Sequence, residues 1–258
     1  MVLIKTGSTD LDNLMYGGIK GGLVFDFFGE NGSGKTQTCF SIITNFIKTY
    51  KDLMVFYIDT TGNFRIERIL EMLRTSNDVG KEQTKDISDR IHFERIFTLR
   101  DQFNIIEEIK NSSKIDKIKL IIFDSVTSLF TTEAQIPIRH LRLRKMMHDL
   151  SLLSINEDIA IIVTNMIRNR IEPSSPDNYY PNYTKNANNN NMNYKKKSKI
   201  QEFMINSMSI HCHFRVNFAI KDLDRRMYSA TLVQPSMYEN VIFKVTKKGI
   251  SNWTINDL

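Results

Sequence analysis

The residues from Gly29 to Thr36, GENGSGKT, satisfy the pattern G-x-x-x-x-G-K-[ST]. Glycines at this spacing let successive backbone N–H groups converge on phosphate oxygens, and a helix that starts there adds the positive end of its dipole. In this reading Gly29, Glu30, Asn31, Gly32, Ser33 and Gly34 form the cradle. Lys35 reaches the β- and γ-phosphates, Thr36 places its hydroxyl on Mg²⁺, and Gln37 follows in the first turn. The context is the one the chemistry needs: LVFDFF before the loop reads as a strand and TQTCFSIITNFIKTY as a helix. The spacing predicts a site for ATP and Mg²⁺.

A second element is KLIIFDS, residues 119–125. A carboxylate at the end of a buried strand faces the mouth where phosphates bind in open α/β sheets. Asp124 is therefore the candidate to hold Mg²⁺ through its water shell. Taken alone, such an Asp serves equally well as a helix cap; the phosphate loop upstream favours the metal reading.

The elements that must position these residues are legible as short, nearly continuous apolar runs: Leu23–Phe28, Leu53–Ile58, Ile91–Phe97, Lys119–Phe123 and Ile159–Thr164. Such runs read as strands buried on both faces of a parallel sheet. Between them the spacing is helical, as in Phe103, Ile106 and Ile109 after a capping-type Asp101, or Leu141, Met147 and Leu150 on a basic helix. After Thr164 the segments 214–220, 228–233 and 241–246 read as a hairpin, turned by KDLDRR, and a further strand. The predicted fold class is α/β, a doubly wound and mostly parallel sheet with antiparallel C-terminal strands, filling one domain over 1–258.

Composition narrows the function classes. The hydrophobic share of 41% and charged share of 25% are ordinary for a globular chain. Cys39 and Cys212 lie far apart with no CxxC spacing, which argues for a reducing compartment and against a disulfide framework or zinc site. No basic flank followed by an apolar stretch marks a leader, and no apolar run approaches the ~20 residues of a membrane span. The expectation is an intracellular protein with no membrane partner, cytoplasmic in a prokaryote and nuclear in a eukaryote.

The net charge of +6 is unevenly placed, because residues 166–200 carry seven basic against two acidic side chains. The stretch EPSSPDNYYPNYTKNANNNNMNYKKKSK holds three of the five prolines and an asparagine run. It cannot bury enough apolar surface to offset its ordering entropy, so 171–200 reads as a flexible Asn/Lys-rich insert. Arg168, Arg170, Lys195, Lys196 and Lys197 could neutralise nucleic-acid phosphates, and Tyr179, Tyr180, Tyr183 and Tyr194 could stack on unpaired bases. Arg139, Arg142 and Lys145 recur every third residue and could line one helical face toward DNA. A solvated loop and the polar side of an amphipathic helix are the plain alternatives.

Together these motifs resemble the RecA/RadA recombinase superfamily, on its archaeal and eukaryotic branch. TGSTDLDNLMYGGIKGGLVFDFFGENGSGKTQ is similar to that family's lead-in to its phosphate loop, and YIDTTGNFRIERI, LIIFDSVTSLF, IIVTNMI and LVQPSMYENVIFKVTKKGI follow in the family's order. The likeness covers most of the chain outside 168–205. It implies a RecA-like P-loop NTPase core that binds ATP between neighbouring subunits and acts on DNA, in keeping with single-stranded DNA as partner. It also assigns Arg65 to stacking on adenine and places Pro235 in a cap that touches a neighbour's nucleotide. Residues 168–200 fall where the family has its second DNA-binding loop.

The departures carry as much information. Thr61, in DTTG, stands where the family has the glutamate that polarises the attacking water, and a threonine hydroxyl is no base near neutral pH. Met166 stands where a family glutamine senses the γ-phosphate. The first DNA-binding loop, between Phe130 and Arg139, is short and lacks Gly-Arg-Gly. The reading further expects no N-terminal helix-hairpin-helix domain and no polymerisation linker. These features resemble the short recombinase paralogs of the RadB kind. The expected function is an ATP- and DNA-binding paralog or mediator in homologous recombination and repair that hydrolyses slowly, working with a recombinase or by self-association. Two alternatives stay open: a full strand-exchange ATPase in which Glu30 or Glu67 replaces the missing base, and a non-catalytic subunit in which ATP only stabilises the fold.

Overall fold

The computed structural model describes residues 1–75, 84–132, 134–169, 200–235 and 239–254. The strands carrying the site are β3 (Val24–Gly29), β4 (Met54–Asp59), β5 (Ile91–Arg95), β6 (Ile118–Asp124) and β7 (Ala160–Asn169). They pair in parallel in the spatial order β3-β7-β6-β4-β5. On the other side of β3 lies β9 (Phe214–Asp222), also parallel to it. Beyond that, β10 (Met227–Gln234), β11 (Asn240–Thr246) and β12 (Gly249–Asn252) add antiparallel strands. The doubly wound sheet with an antiparallel C-terminal edge is thus as the apolar pattern predicts. The KDLDRR turn joins β9 to β10, and the strand predicted over Ile91–Phe97 ends at Arg95.

The runs are apolar throughout because alternate residues feed two cores. Phe25, Phe27, Val55, Tyr57, Leu120, Ile122 and Ile162 face one cluster, together with α1 (Thr9–Leu14), α2 (Lys35–Thr49) and α3 (Ile66–Thr75). Val24, Phe56, Ile58, Ile121, Phe123, Ile161 and Val163 face the other, packed on α5 (Leu99–Lys110) and α6 (Ile136–Glu157). Burying each of these side chains contributes roughly 1.5–3 kcal/mol. The short helix α4 (Thr84–Asp89) leads into β5.

One local expectation is corrected. Asp101 does not cap α5; Thr98 does, its side chain accepting from the Asp101 N–H at 3.1 Å, while its hydroxyl donates to Asp101 Oδ2 at 2.7 Å. Asp101 is the third helical residue, tied to the cap through the Thr98 hydroxyl. Sequence periodicity also passes over β1 (Leu3–Ile4) and β2 (Ile19–Lys20), a pair too short to show alternation. Beyond β7 the chain returns as β8 (Ile200–Glu202), which pairs with it antiparallel, and then the short α7 (Ile205–Met208). The segment 170–199 lies outside the described residues, and with it Arg170, Lys195, Lys196, Lys197 and the four tyrosines.

Candidate nucleotide site

Parallel pairing brings the C-terminal ends of β3, β4, β6 and β7 to one edge of the sheet. The register sets Gly29 opposite Met166 and Asp59 opposite Asp124. Because α2 carries the chain from β3 across β7 and β6 to β4, this edge is a topological switch point, where ligands bind in open α/β sheets. A cleft of about 520 Å³ opens there, lined by residues 31–37, Thr61, Asn63, Asp124, Ser125, Thr164, Asn165, Met166 and Tyr228.

The phosphate loop has the backbone its glycines predict. At Gly29 φ is +149° and a Cβ would come within 2.1 Å of the Phe218 carbonyl oxygen, so no side chain fits. Gly34, at φ +95°, is the N-cap of α2. Lys35 Nζ donates to the carbonyls of Gly29 at 2.9 Å and Glu30 at 2.8 Å, and lies 3.4 Å from Ser33 Oγ. Burial pushes the Lys35 ammonium below its ordinary value, and Asp124 nearby opposes that shift.

Asp124 is buried and surrounded by hydroxyls. Its Oδ2 accepts from Thr36 Oγ1 and from the Tyr57 hydroxyl, each at 2.8 Å, and its Oδ1 accepts from Thr164 Oγ1. Burial, and after it the charge of Asp124, holds the Tyr57 phenol well above its usual range, so it stays a donor. The donors available to a cation are oxygens only, one carboxylate and one hydroxyl beside a phosphate cradle. That set fits Mg²⁺, which keeps several waters and takes one or two carboxylates plus substrate phosphates. Among the described residues no cluster of three or more His, Cys, Asp or Glu offers an alternative metal site. The tips of β4 and β6 are laced together as well: Thr60 Oγ1 donates to the Ser125 carbonyl at 2.7 Å and accepts from the Ser125 N–H at 3.0 Å.

Thr61 lines the cleft. Its N–H and hydroxyl both donate to Asp59 Oδ1, at 2.8 and 3.2 Å, and Asn63 Nδ2 donates to its Oγ1 at 3.0 Å. Of the described residues lining the cleft, Asp124 is the one carboxylate. Neither Glu30 nor Glu67 lines it: Glu30 Oε1 accepts from the Ile220 N–H at 3.4 Å, and Glu67 is exposed on α3. Met166 occupies the wall beside Asn165, a buried amide that sequence reasoning passed over. Asn165 Oδ1 accepts from Thr127 Oγ1 at 2.6 Å and from the Met166 N–H at 2.8 Å.

Arg65 is exposed and donates to the Gly62 and Phe64 carbonyls. It lines neither this cleft nor the one beside it. Arg68, three residues on, does line that neighbouring cleft of about 550 Å³, with Gln37, Glu71, Leu223, Arg226 and Tyr228. Its Nε donates to Gln37 Oε1 at 3.1 Å, its terminal nitrogens reach the Thr246 and Lys247 carbonyls, and it pairs with Glu71. The sequence offers two arginines in NFRIER; which one turns toward α2 depends on where α3 begins, at Ile66.

The DNA-facing candidates are only partly gathered. Arg139 lies over the Phe203 ring at 5.7 Å, Arg142 is exposed, and Lys145 is exposed with an ion pair to Asp149 at 3.6 Å. Arg168 is placed by its backbone, opposite Gln201 in the β7–β8 pair. Among the described residues no helix is long and apolar enough to cross a membrane.

Comparison with known proteins agrees with the resemblance read from the motifs. The family model described as Rad51 matches residues 1–207. The DNA repair and recombination protein RadA of Ignicoccus hospitalis is 34% identical over 190 residues, covering 69% of this chain and 55% of that protein. The protein of the same description from Aeropyrum pernix is 34% identical over 186 residues, with the same coverage. The chain thus spans little more than half the length of these relatives. The matched region holds residues 29–36, the hydroxyl-held Asp124 and the parallel strands β3 to β7, and the chain belongs to the Rad51 family.

Proposed function

We propose that this chain binds ATP with Mg²⁺ in the cleft at Lys35, Thr36 and Asp124, binds DNA, and acts in homologous recombination and repair as a recombinase paralog or mediator with weak ATP hydrolysis. The observation that carries the weak-hydrolysis reading is the wall at Thr61. Asp124, the one carboxylate among the described residues of the cleft, is engaged by three hydroxyl donors, and Thr61 is tied to Asp59. General-base catalysis contributes typically 10²–10⁴-fold, and a threonine supplies none of it near neutral pH. Mg²⁺ would neutralise charge on the phosphates; Thr36 and Asp124 would orient it, Lys35 would turn its ammonium to the phosphates, and the 29–34 backbone would cradle them.

For the base, Arg68 is the better-placed residue, since it lies against Gln37 at the end of the phosphate loop and lines the adjoining cleft with Tyr228. Arginine planes stack on aromatic rings, so the chemistry is available there. The DNA partner, single-stranded in this reading, would be met by Arg139, Arg142, Lys145 and the basic segment beyond Arg168. Association with a recombinase or with further copies of the chain, and an intracellular location, complete the proposal. They are supported by the family and by the names of the two relatives.

The test is phosphate release from ATP with and without single-stranded DNA, with Lys35→Ala as the blank. The reading expects ATP to bind and turnover to stay near the blank. Turnover clearly above it and raised by DNA would replace this reading with an active strand-exchange ATPase.

A further inference from the structure

We infer that Tyr57 is the positioning residue for the metal-side carboxylate: its phenol fixes the orientation in which Asp124 faces Thr36 and the Mg²⁺ shell. This rests on the nucleotide reading proposed above. Tyr57 lies on β4, one strand over from β6, paired with Ile122 two residues before Asp124. Its ring is fully buried, with the Phe40 ring of α2 at 6.0 Å and the Phe64 ring at 4.7 Å between centroids. Held there, the phenol has a fixed direction, and a buried hydroxyl of this kind requires an acceptor. That acceptor is Asp124 Oδ2 at 2.8 Å.

The arrangement divides the carboxylate's capacity. A carboxylate offers about four lone-pair sites. Thr36 and Tyr57 share Oδ2, and Thr164 takes Oδ1. The Thr36 hydroxyl belongs to the phosphate-loop helix and is the one that turns to the metal in the proposed site. Of the two donors that remain, Thr164 is a short rotor, whereas Tyr57 is locked by the two phenylalanine rings. With the phenol gone, Oδ2 would keep only the donor that must leave it, and the carboxylate would be held by the short Thr164 rotor alone.

Partners that orient metal-holding groups in this way typically change metal affinity or activity by about 10–100-fold when removed. Tyr57→Phe removes the hydroxyl and keeps the ring in its packing. Tyr50→Phe is the matched control: among the described residues its hydroxyl bonds only Leu3, accepting from its N–H at 2.9 Å and donating to its carbonyl at 3.1 Å.

Binding of a fluorescent non-hydrolysable ATP analogue to the full chain would be followed across a Mg²⁺ titration and in EDTA. The expected result is that Tyr57→Phe needs about tenfold more Mg²⁺ for half-saturation, with its EDTA affinity and melting temperature near wild type and Tyr50→Phe unshifted. A Tyr57→Phe midpoint equal to wild type overturns the inference, as does an EDTA affinity that falls as much as the Mg²⁺-supported one. Wild-type protein that binds no analogue under either condition overturns the nucleotide reading and this inference together, an outcome distinct from the other two.

Discussion

Asp59 and Asp124 end adjacent parallel strands and stand level in the register, yet their surroundings make them different tools. Asp59 accepts from the N–H groups of Thr61, Gly62 and Phe64 and is ion-paired with Arg95 at 2.9 Å. Backbone and guanidinium predominate among these partners, joined by the Thr61 hydroxyl at 3.2 Å, and together they lock the turn that carries Thr61. Among the described residues, Asp124 accepts from hydroxyls alone. A hydroxyl can rotate away or trade acceptor for donor, so Asp124 keeps the capacity to meet a cation. The lesson is that a buried carboxylate's role follows from whether its donors can be displaced, more than from its place at a strand end.

The sharpest way to break this comparison is to add a third carboxylate. Thr61→Glu should raise phosphate release by about a hundredfold or more if the wall lacks only a base, measured against Lys35→Ala. No gain would mean that the Asp59 turn does not present residue 61 to the water. Next, Asp124→Asn should weaken Mg²⁺-supported ATP binding by at least about tenfold while leaving binding in EDTA close to wild type. Equal losses in both conditions would make Asp124 a scaffold like its neighbour.

Asp59→Asn should show the opposite profile. Removing one partner of a buried ion pair typically costs 3–5 kcal/mol. Arg95 is partly exposed, so roughly 2–3 kcal/mol is expected here from urea unfolding, with the Mg²⁺ midpoint of ATP binding unchanged.

The smallest effect concerns acid stability away from the cleft. Burial lowers the His213 imidazole below its ordinary value, and its Nδ1 accepts from the Val24 N–H at 3.0 Å at the start of β3. The folded chain therefore binds the proton less readily than the unfolded one. Stability is full above the ordinary imidazole value, about 6.5, and declines as pH falls through the lowered one. His213→Asn keeps an acceptor near Nδ1 and should flatten the fall in melting temperature between about pH 7.5 and 5.5. An unchanged slope would place the acid sensitivity elsewhere.

Much of this was open to reading in the chain itself. The phosphate loop was legible because backbone conformation is written in glycines, and Asp124 because it ends a run of apolar residues. The parallel strands were legible because burial on both faces leaves no polar alternation. What stayed hidden depends on register or on where an element begins. Tyr57 reads as one more apolar residue until β4 is paired with β6. Arg65 and Arg68 cannot be told apart until the first residue of α3 is fixed. Asp101 looked like a cap because the true cap, Thr98, lies just upstream of the first periodic apolar position. Asn165 carries no motif of its own, and its value appears only when Thr127 and Met166 are beside it.

The pairing of β7 with β8 has a consequence for how this protein can change over time. Asn169 and Ile200 face each other as ladder partners, so the sheet meets the intervening stretch as a gap already closed. Closing a longer loop costs only about 0.6 kcal/mol per doubling of its length. The closure cost of the β7–β8 pair is therefore only weakly sensitive to how many residues lie between these two positions.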